Sequence, residues 1–239
     1  VAEPDGAGVT INVFPNVAET AAAAARAIAA AAREAVAVRG RFVFAVSGGK
    51  SPWEMMRVLA REDVPWKNVE IVQVDERVAP LGDPTRNLTH LRETLLDAAP
   101  LSPDQIHPMP VDDPDLDAGA LRYAAELTEL CGSPPAIDLV HLGLGPDGHT
   151  ASLVPGDHVL AVANADVAVT QPYQGQRRMT LTYPVLDRAR AILWLVIGAD
   201  KPAMLVRLRD RDPSIPAGRI SQEHAVVYAD AAAGVLLGR

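Results

Sequence analysis

IDLVHLGLGPDGHTASLVPG, residues 137–156, begins as an apolar run rich in β-branched residues and ends in a cluster of glycines. Positions 137–142 have the length and composition of a strand buried on both faces, as strands of parallel sheets are. Gly143, Gly145, Pro146 and Gly148 then stop any regular element and place Asp147 and His149 in a tight turn. A carboxylate beside an imidazole can handle protons near neutral pH. In an open α/β sheet, ligands bind in the crevice beyond the carboxyl ends of the strands, so this strand end is expected to carry chemistry.

The same pattern recurs on either side. Positions 41–46 form a strand that runs into Ser47, Gly48, Gly49, Lys50, Ser51 and Pro52, followed by a helix with Trp53, Met56 and Leu59 at helical spacing. Positions 69–74 form another short strand, ended by Asp75, Glu76 and Arg77, and Pro80, Gly82 and Pro84 keep the following backbone irregular. Upstream, 9–14 is a short strand, and Asn16 with Glu19 makes a capping-box-like start for an Ala-rich helix that Gly40 ends. Helices are predicted at 87–98 and 116–130, separated by a Pro-rich surface connector, 100–114, with room for a short edge strand. Further strands are predicted at 166–170, 179–182, 191–197 and 225–229, with the polar QPYQGQRR loop before the second of them and Arg178 at that loop's edge. Gly198 to Pro202 turns the 191–197 strand into a helix that has Lys201 in its first turn, and Asp230 is placed to cap a short terminal helix. Strands alternating with helices predict one α/β domain over residues 1–239, with a mainly parallel sheet and helices on both faces.

Composition narrows the function. Hydrophobic residues make up 49% and charged residues 22% of the 239, an ordinary globular mix. The net charge of -8, with no cluster of Lys and Arg, argues against a nucleic-acid partner, and an anionic small substrate would need local basic residues. Cys131 is the only cysteine, so an intrachain disulfide or a cysteine-based zinc cluster is ruled out and a reducing cytoplasm is expected. No charged-then-apolar leader is read at the start, and the alanine run at 21–25, flanked by Arg26 and Arg33, is too weakly apolar for a membrane span. His90, His107, His141, His158 and His224 show no metal-ligand spacing, so no metal is expected.

Each candidate motif has a bland reading beside the functional one. The Ser47 to Pro52 turn offers backbone N–H groups at a helix start, where the dipole favours an anion, with Lys50 and Ser51 as further donors; otherwise it is an ordinary strand-to-helix turn. Its glycine spacing is not that of a Walker loop. Lys201 opposes the dipole of the helix it starts, so an anion is expected to compensate it, unless it is a solvated surface lysine. Arg178 taken alone reads as a surface charge. GLGPDG, residues 143–148, formally satisfies the dinucleotide fingerprint, but Pro155 and Gly156 leave no adequate helix after the third glycine. Asp75 to Arg77 would be an exposed charged turn if they did not follow a buried strand, as the other two motifs do.

Taken together, SGGKSP, VDERVAP with Asn87, GLGPDGHTASLVPG, RMTLTYPVL and GADKP resemble the 6-phosphogluconolactonase family, in order and spacing from Ser47 to Lys201. Glucosamine-6-phosphate isomerase/deaminases are similar at SGG, at the Asp-Glu pair and at DGH. They generally carry a tyrosine where Arg77 stands and an Ala-Phe-Asn-like segment where Thr150, Ala151, Ser152 and Leu153 stand. The resemblance implies a Rossmann-like α/β fold and hydrolysis of 6-phospho-D-glucono-1,5-lactone in the pentose phosphate pathway, with no cofactor. It also implies roles. His149 would be the general base, and Arg77 would lie near the carbonyl. Gly48, Gly49, Lys50 and Ser51, with Ser47, Arg178 and Lys201, would bind the phosphate, while Asp75 and Asp147 would bind hydroxyls or position His149. A monomer with no membrane partner is expected. Thr85, Arg86, Asn87 and Leu88 depart from the family's Ser-Asn-Tyr-like pattern, and Asn87 is given no role. The alternatives are a deaminase in which Asp75 abstracts a carbon-bound proton, and a sugar-phosphate sensor without turnover.

Overall fold

The computed structural model of the protein describes residues 9–49 and 51–238. Strand β1 (Thr10–Phe14) leads into helix α1 (Val17–Arg39), followed by β2 (Phe42–Val46), α2 (Pro52–Leu59), β3 (Val69–Gln73), β4 (Asp75–Arg77), α3 (Asn87–Leu91), β5 (Ile106–His107), α4 (Leu116–Cys131) and β6 (Leu139–Gly143). The chain continues through β7 (Val167–Val169), β8 (Arg178–Leu181), α5 (Tyr183–Asp187), β9 (Ile192–Val196), α6 (Pro202–Arg209) and β10 (Ala225–Asp230). Seven strands form one sheet in the order β1-β10-β9-β6-β2-β3-β5, and every neighbouring pair is parallel. This is the expected α/β architecture. β5, inside the Pro-rich connector, is one of its two edge strands.

Side chains alternate between two cores, as a pleated strand requires. From β2, Phe42, Phe44 and Val46 join α1, α2 and α3 on one face, while Val43 and Ala45 join α4, α5 and α6 on the other. β9 splits in the same way, Leu193 and Leu195 against Trp194 and Val196. Between β2 and β6 the order of the sheet reverses: β3 and β5 lie outward from β2, β9 and β10 outward from β6. Such a switch point leaves a crevice at the carboxyl ends of the two strands, and Ser47 and Gly143 stand at those ends.

Three expectations need correction. Asp75 to Arg77 do not form a loop; they are β4, the first strand of a separate antiparallel sheet ordered β4-β8-β7. Val74 makes the crossing, its N–H donating to Val46 O in the main sheet and its carbonyl accepting from Leu181 N in the small one. Arg178, at the edge of its loop as expected, is not a surface charge; it opens β8 and is 5% exposed. After β10 the chain makes turns in place of the expected helix, with Asp230 Oδ1 accepting from Ala233 N and from Gly198 N. Helix α5, which follows Thr182 directly, was not anticipated, and the predicted 87–98 helix continues from α3 as a π-helical turn, Arg92–Leu96.

The start of α1 follows the sequence closely. Asn16 Oδ1 accepts from Glu19 N at 2.9 Å, and Asn16 Nδ2 donates to Glu19 Oε1 at 2.7 Å. Asn16→Ala should therefore destabilise the fold by about 1 kcal/mol, a fall in midpoint of about 2–4 °C for a chain this long. Thermal unfolding followed by circular dichroism checks it, and an unchanged midpoint would mean that packing alone holds this end. Among the described residues no helix is long and apolar enough to cross a membrane.

Candidate active site at the sheet switch point

A cavity of about 360 Å³ opens where the carboxyl ends of β2 and β6 meet, within the size range of small-molecule sites. Its wall takes Ser47, Gly48, Gly49 and Ser51 from the turn after β2, Asp75 and Arg77 from β4, His149 from the turn after β6, Arg178 from β8 and Lys201 from the start of α6. Segments far apart in sequence thus converge on one hollow. Asp147 stands behind His149 and not in the wall. Lys50 lies outside the described residues.

The β6 turn holds the imidazole in a fixed attitude. Asp147 Oδ1 is 2.5 Å from His149 Nδ1 and also accepts from His149 N at 3.1 Å. A methyl group on Gly145 would fall 2.1 Å from Nδ1, so only glycine lets the ring lie against its own turn. Burial works to raise the Asp147 carboxyl, but the His149 N–H, the imidazole and the Tyr173 hydroxyl outweigh it and hold it below the ordinary carboxylate value. An ionised Asp147 puts the proton on Nδ1, which leaves Nε2 as the acceptor without a hydrogen-bond partner among the described residues. The glycines of GLGPDG serve this turn and not a dinucleotide: no α-helix lies between β6 and β7.

Opposite stands a pair of arginines. In the β4–β8 ladder Arg77 faces Arg178, with Asp75 opposite Thr180 two places away. Like charges directly across an antiparallel pair repel, so this arrangement is tolerable when an anion lies between them. Arg77 Nη1 donates to Thr85 O at 2.6 Å and Arg178 Nη2 to Gln174 Oε1 at 3.4 Å, while the Nε atom of each arginine is buried without a partner. Burial pushes the Arg178 guanidinium below its ordinary value; Asp75 works the other way and Arg77 adds to the fall. Lys201 has found the anion that its place at a helix start requires: its Nζ lies 2.7 Å from Asp200 Oδ2, and this contact lowers the Asp200 carboxyl.

Asp75 is tied down at both oxygens. Oδ2 accepts from Ser152 Oγ at 2.6 Å and Oδ1 from Asn87 Nδ2 at 3.2 Å, and the residue is 3% exposed. Ser152 thus joins the HTAS segment to β4. Glu76, fully buried, is the clamp behind it, accepting from Gln73 Nε2, Arg77 N, Asn87 N and Leu88 N and so closing the start of α3. Asn87 comes close to the glycine turn; a methyl on Gly48 would fall 1.8 Å from its Oδ1. His141 on β6 also lines the cavity, and burial pushes its imidazole down to about 3, so it stays neutral.

Sequence reasoning missed Glu76, Asn87, Ser152 and Tyr173 as parts of this assembly. The first three are recognisable only through contacts distant in sequence. Tyr173 had a local signal. Gln174 and Gly175, with φ of 51° and 82°, are the two central residues of a tight turn closed by Tyr173 and Gln176, and a two-residue turn with glycine second marks a hairpin.

Fold and cleft define the class: a doubly wound α/β protein with a cationic, small-molecule-sized cleft at its switch point, furnished with an Asp-His pair. Comparison with known proteins narrows it. The family described as glucosamine-6-phosphate isomerases/6-phosphogluconolactonase matches over residues 15–229. A 6-phosphogluconolactonase of Synechocystis is 38% identical over 179 residues, covering 70% of this chain and 71% of the relative. One of Mycobacterium tuberculosis is 34% identical over 235 residues, covering 92% and 95%. The solved structure of the Trypanosoma brucei 6-phosphogluconolactonase superposes with a TM-score of 0.83 at 25% identity, covering 96% of this chain and 98% of its own. The chain belongs to the glucosamine-6-phosphate isomerase/6-phosphogluconolactonase family.

Proposed function

We propose that the protein hydrolyses 6-phospho-D-glucono-1,5-lactone to 6-phospho-D-gluconate, with His149 as the base that activates water. The observation that carries this reading is His149 itself, in the cavity wall with Nδ1 occupied by Asp147 and Nε2 free. Nε2 takes a proton from water as the water oxygen attacks the lactone carbonyl carbon. Arg77 stabilises the negative charge that gathers on the carbonyl oxygen, a role in which one lost donor commonly costs about 3 kcal/mol. The intermediate collapses by breaking the bond from the carbonyl carbon to the ring oxygen, and the imidazolium returns its proton to that oxygen. The product acid then ionises to solvent. Asp147 keeps the imidazole in the required tautomer and supports its positive charge while it exists. Arg178 and Lys201, with Gly48, Gly49, Ser51 and Lys50, bind the 6-phosphate, while Ser47 helps line the floor.

An isomerase or deaminase reaction would require Asp75 to pull a proton from carbon. Both of its oxygens are already engaged, Oδ1 by Asn87 and Oδ2 by Ser152, which suits a positioning role over proton abstraction. Ring opening of the lactone, corrected for spontaneous hydrolysis, measured beside ammonia release from glucosamine 6-phosphate, tests the choice. Acceleration of the first and none of the second is expected; deamination without lactone opening would overturn the proposal.

A further inference from the structure

The hairpin between β7 and β8 carries a residue that touches both working halves of the cleft. Tyr173 Oη donates to Asp147 Oδ2 at 3.1 Å, on the carboxylate oxygen that His149 does not use. Its ring meets the His149 imidazole edge-on at 5.7 Å between centroids. On the same ring lies the Arg178 guanidinium, its Cζ 4.9 Å from the centroid. The tight turn through Gln174 and Gly175 holds the tyrosine in place, and Gln174 itself accepts from Arg178. A non-glycine residue at φ 51° is uncommon and is held by its surroundings, here by the Tyr173–Gln176 backbone pair.

We propose that Tyr173 is a positioning residue, its hydroxyl fixing the Asp147–His149 pair and its ring seating Arg178, so that one side chain aligns the proton-transfer and anion-binding halves of the cleft. The inference rests on the reading of His149 as the base. Burial first, and then the charge of Asp147, push the phenol above its ordinary value, so it remains protonated and acts as the donor. By donating, it draws part of the carboxylate charge away from the imidazole. Without that donor Asp147 holds the imidazolium more tightly, and His149 gives up its proton at higher pH. Around the imidazole the charged and titratable partners in contact are Asp147, Tyr173 and, across the tyrosine ring, Arg178.

Tyr173→Phe separates the two functions, because it keeps the ring for Arg178 and His149 and removes only the hydroxyl. For lactone opening, Tyr173→Phe should lower kcat about tenfold with KM within about twofold, and should move the acid limb of the kcat/KM profile to higher pH. Tyr173→Leu should lose the ring as well and raise KM several-fold on top of the kcat loss. Equal losses with an unmoved acid limb would mark Tyr173 as merely structural, and an unchanged Tyr173→Phe would overturn the proposal. Titration of the 15N-labelled imidazole of His149, assigned with His149→Gln, gives a readout without turnover. Its midpoint should rise in Tyr173→Phe, and no movement would overturn the inference. Should the wild type fail to open the lactone while that midpoint still rises, the fault lies with the proposed reaction and not with the placement of Tyr173.

Discussion

His149→Ala is expected to remain folded and to lose roughly 10²- to 10⁴-fold in turnover of the phosphorylated lactone, the range set by removal of a positioned general base. Water is a weak nucleophile at neutral pH, and Nε2 of His149 is the acceptor in the cavity wall that its own turn has already oriented. The side chain is 21% exposed and packs mainly on Asp147 and Tyr173, so truncation should shift stability by no more than about 1 kcal/mol. Affinity for 6-phosphogluconate should change far less than kcat, since the groups assigned to the phosphate lie on other elements. Calorimetric titration of the product beside steady-state kinetics separates the two effects. Equal losses in binding and turnover would make His149 a binding residue.

Arg178→Met is expected to erase most of the preference for a phosphorylated substrate. An arginine that is 5% exposed, faced by a second arginine and left with an unpartnered Nε, is poised for an anion. Two charge-assisted hydrogen bonds to a phosphate, at about 1.5 kcal/mol or more each, correspond to about 10² in kcat/KM. Unphosphorylated gluconolactone should change only a few-fold, so the gap between the two substrates closes. Arg178→Lys keeps the charge but not the planar fork and should fall between. Lys201→Ala should have a smaller effect than Arg178→Met, because Asp200 already compensates that lysine and the phosphate must displace it. If Arg178→Met slowed both substrates equally, Arg178 would be holding the small sheet together and not the phosphate.

Much of the fold was legible because its signals are local. Apolar runs such as 42–46 and 191–197 end abruptly in glycine turns, and this repeated grammar points to a parallel sheet with polar loops along one edge. The cap at Asn16 and the stop at Gly40 are likewise written in adjacent residues. The small antiparallel sheet was not legible. β4 consists of Asp75, Glu76 and Arg77, three charged residues with no apolar alternation, and only pairing with β8 makes them a strand. The burial of Arg178 was not legible for the same reason, since it comes from Arg77, Tyr173 and Thr170, which lie on other segments. At the site, the residue types and the strand ends were readable, and so was the company of His149 and Asp147, two positions apart. The links from Ser152 to Asp75, from Glu76 to α3 and from Tyr173 to Asp147 were not, because each joins segments that the fold alone brings together.

In the proposed mechanism this cleft opens a phosphorylated lactone by attack of water activated at His149. Its most direct test is the rate of 6-phospho-D-glucono-1,5-lactone consumption, with spontaneous hydrolysis subtracted, for the wild type and for His149→Gln, followed between about pH 5 and 8, where an imidazole changes charge. The wild type should accelerate ring opening and lose that acceleration toward acid as the base is protonated, while His149→Gln should stay close to the spontaneous rate throughout and still bind 6-phosphogluconate. Near-normal turnover in His149→Gln, or a wild-type rate that is flat across that interval, would contradict it.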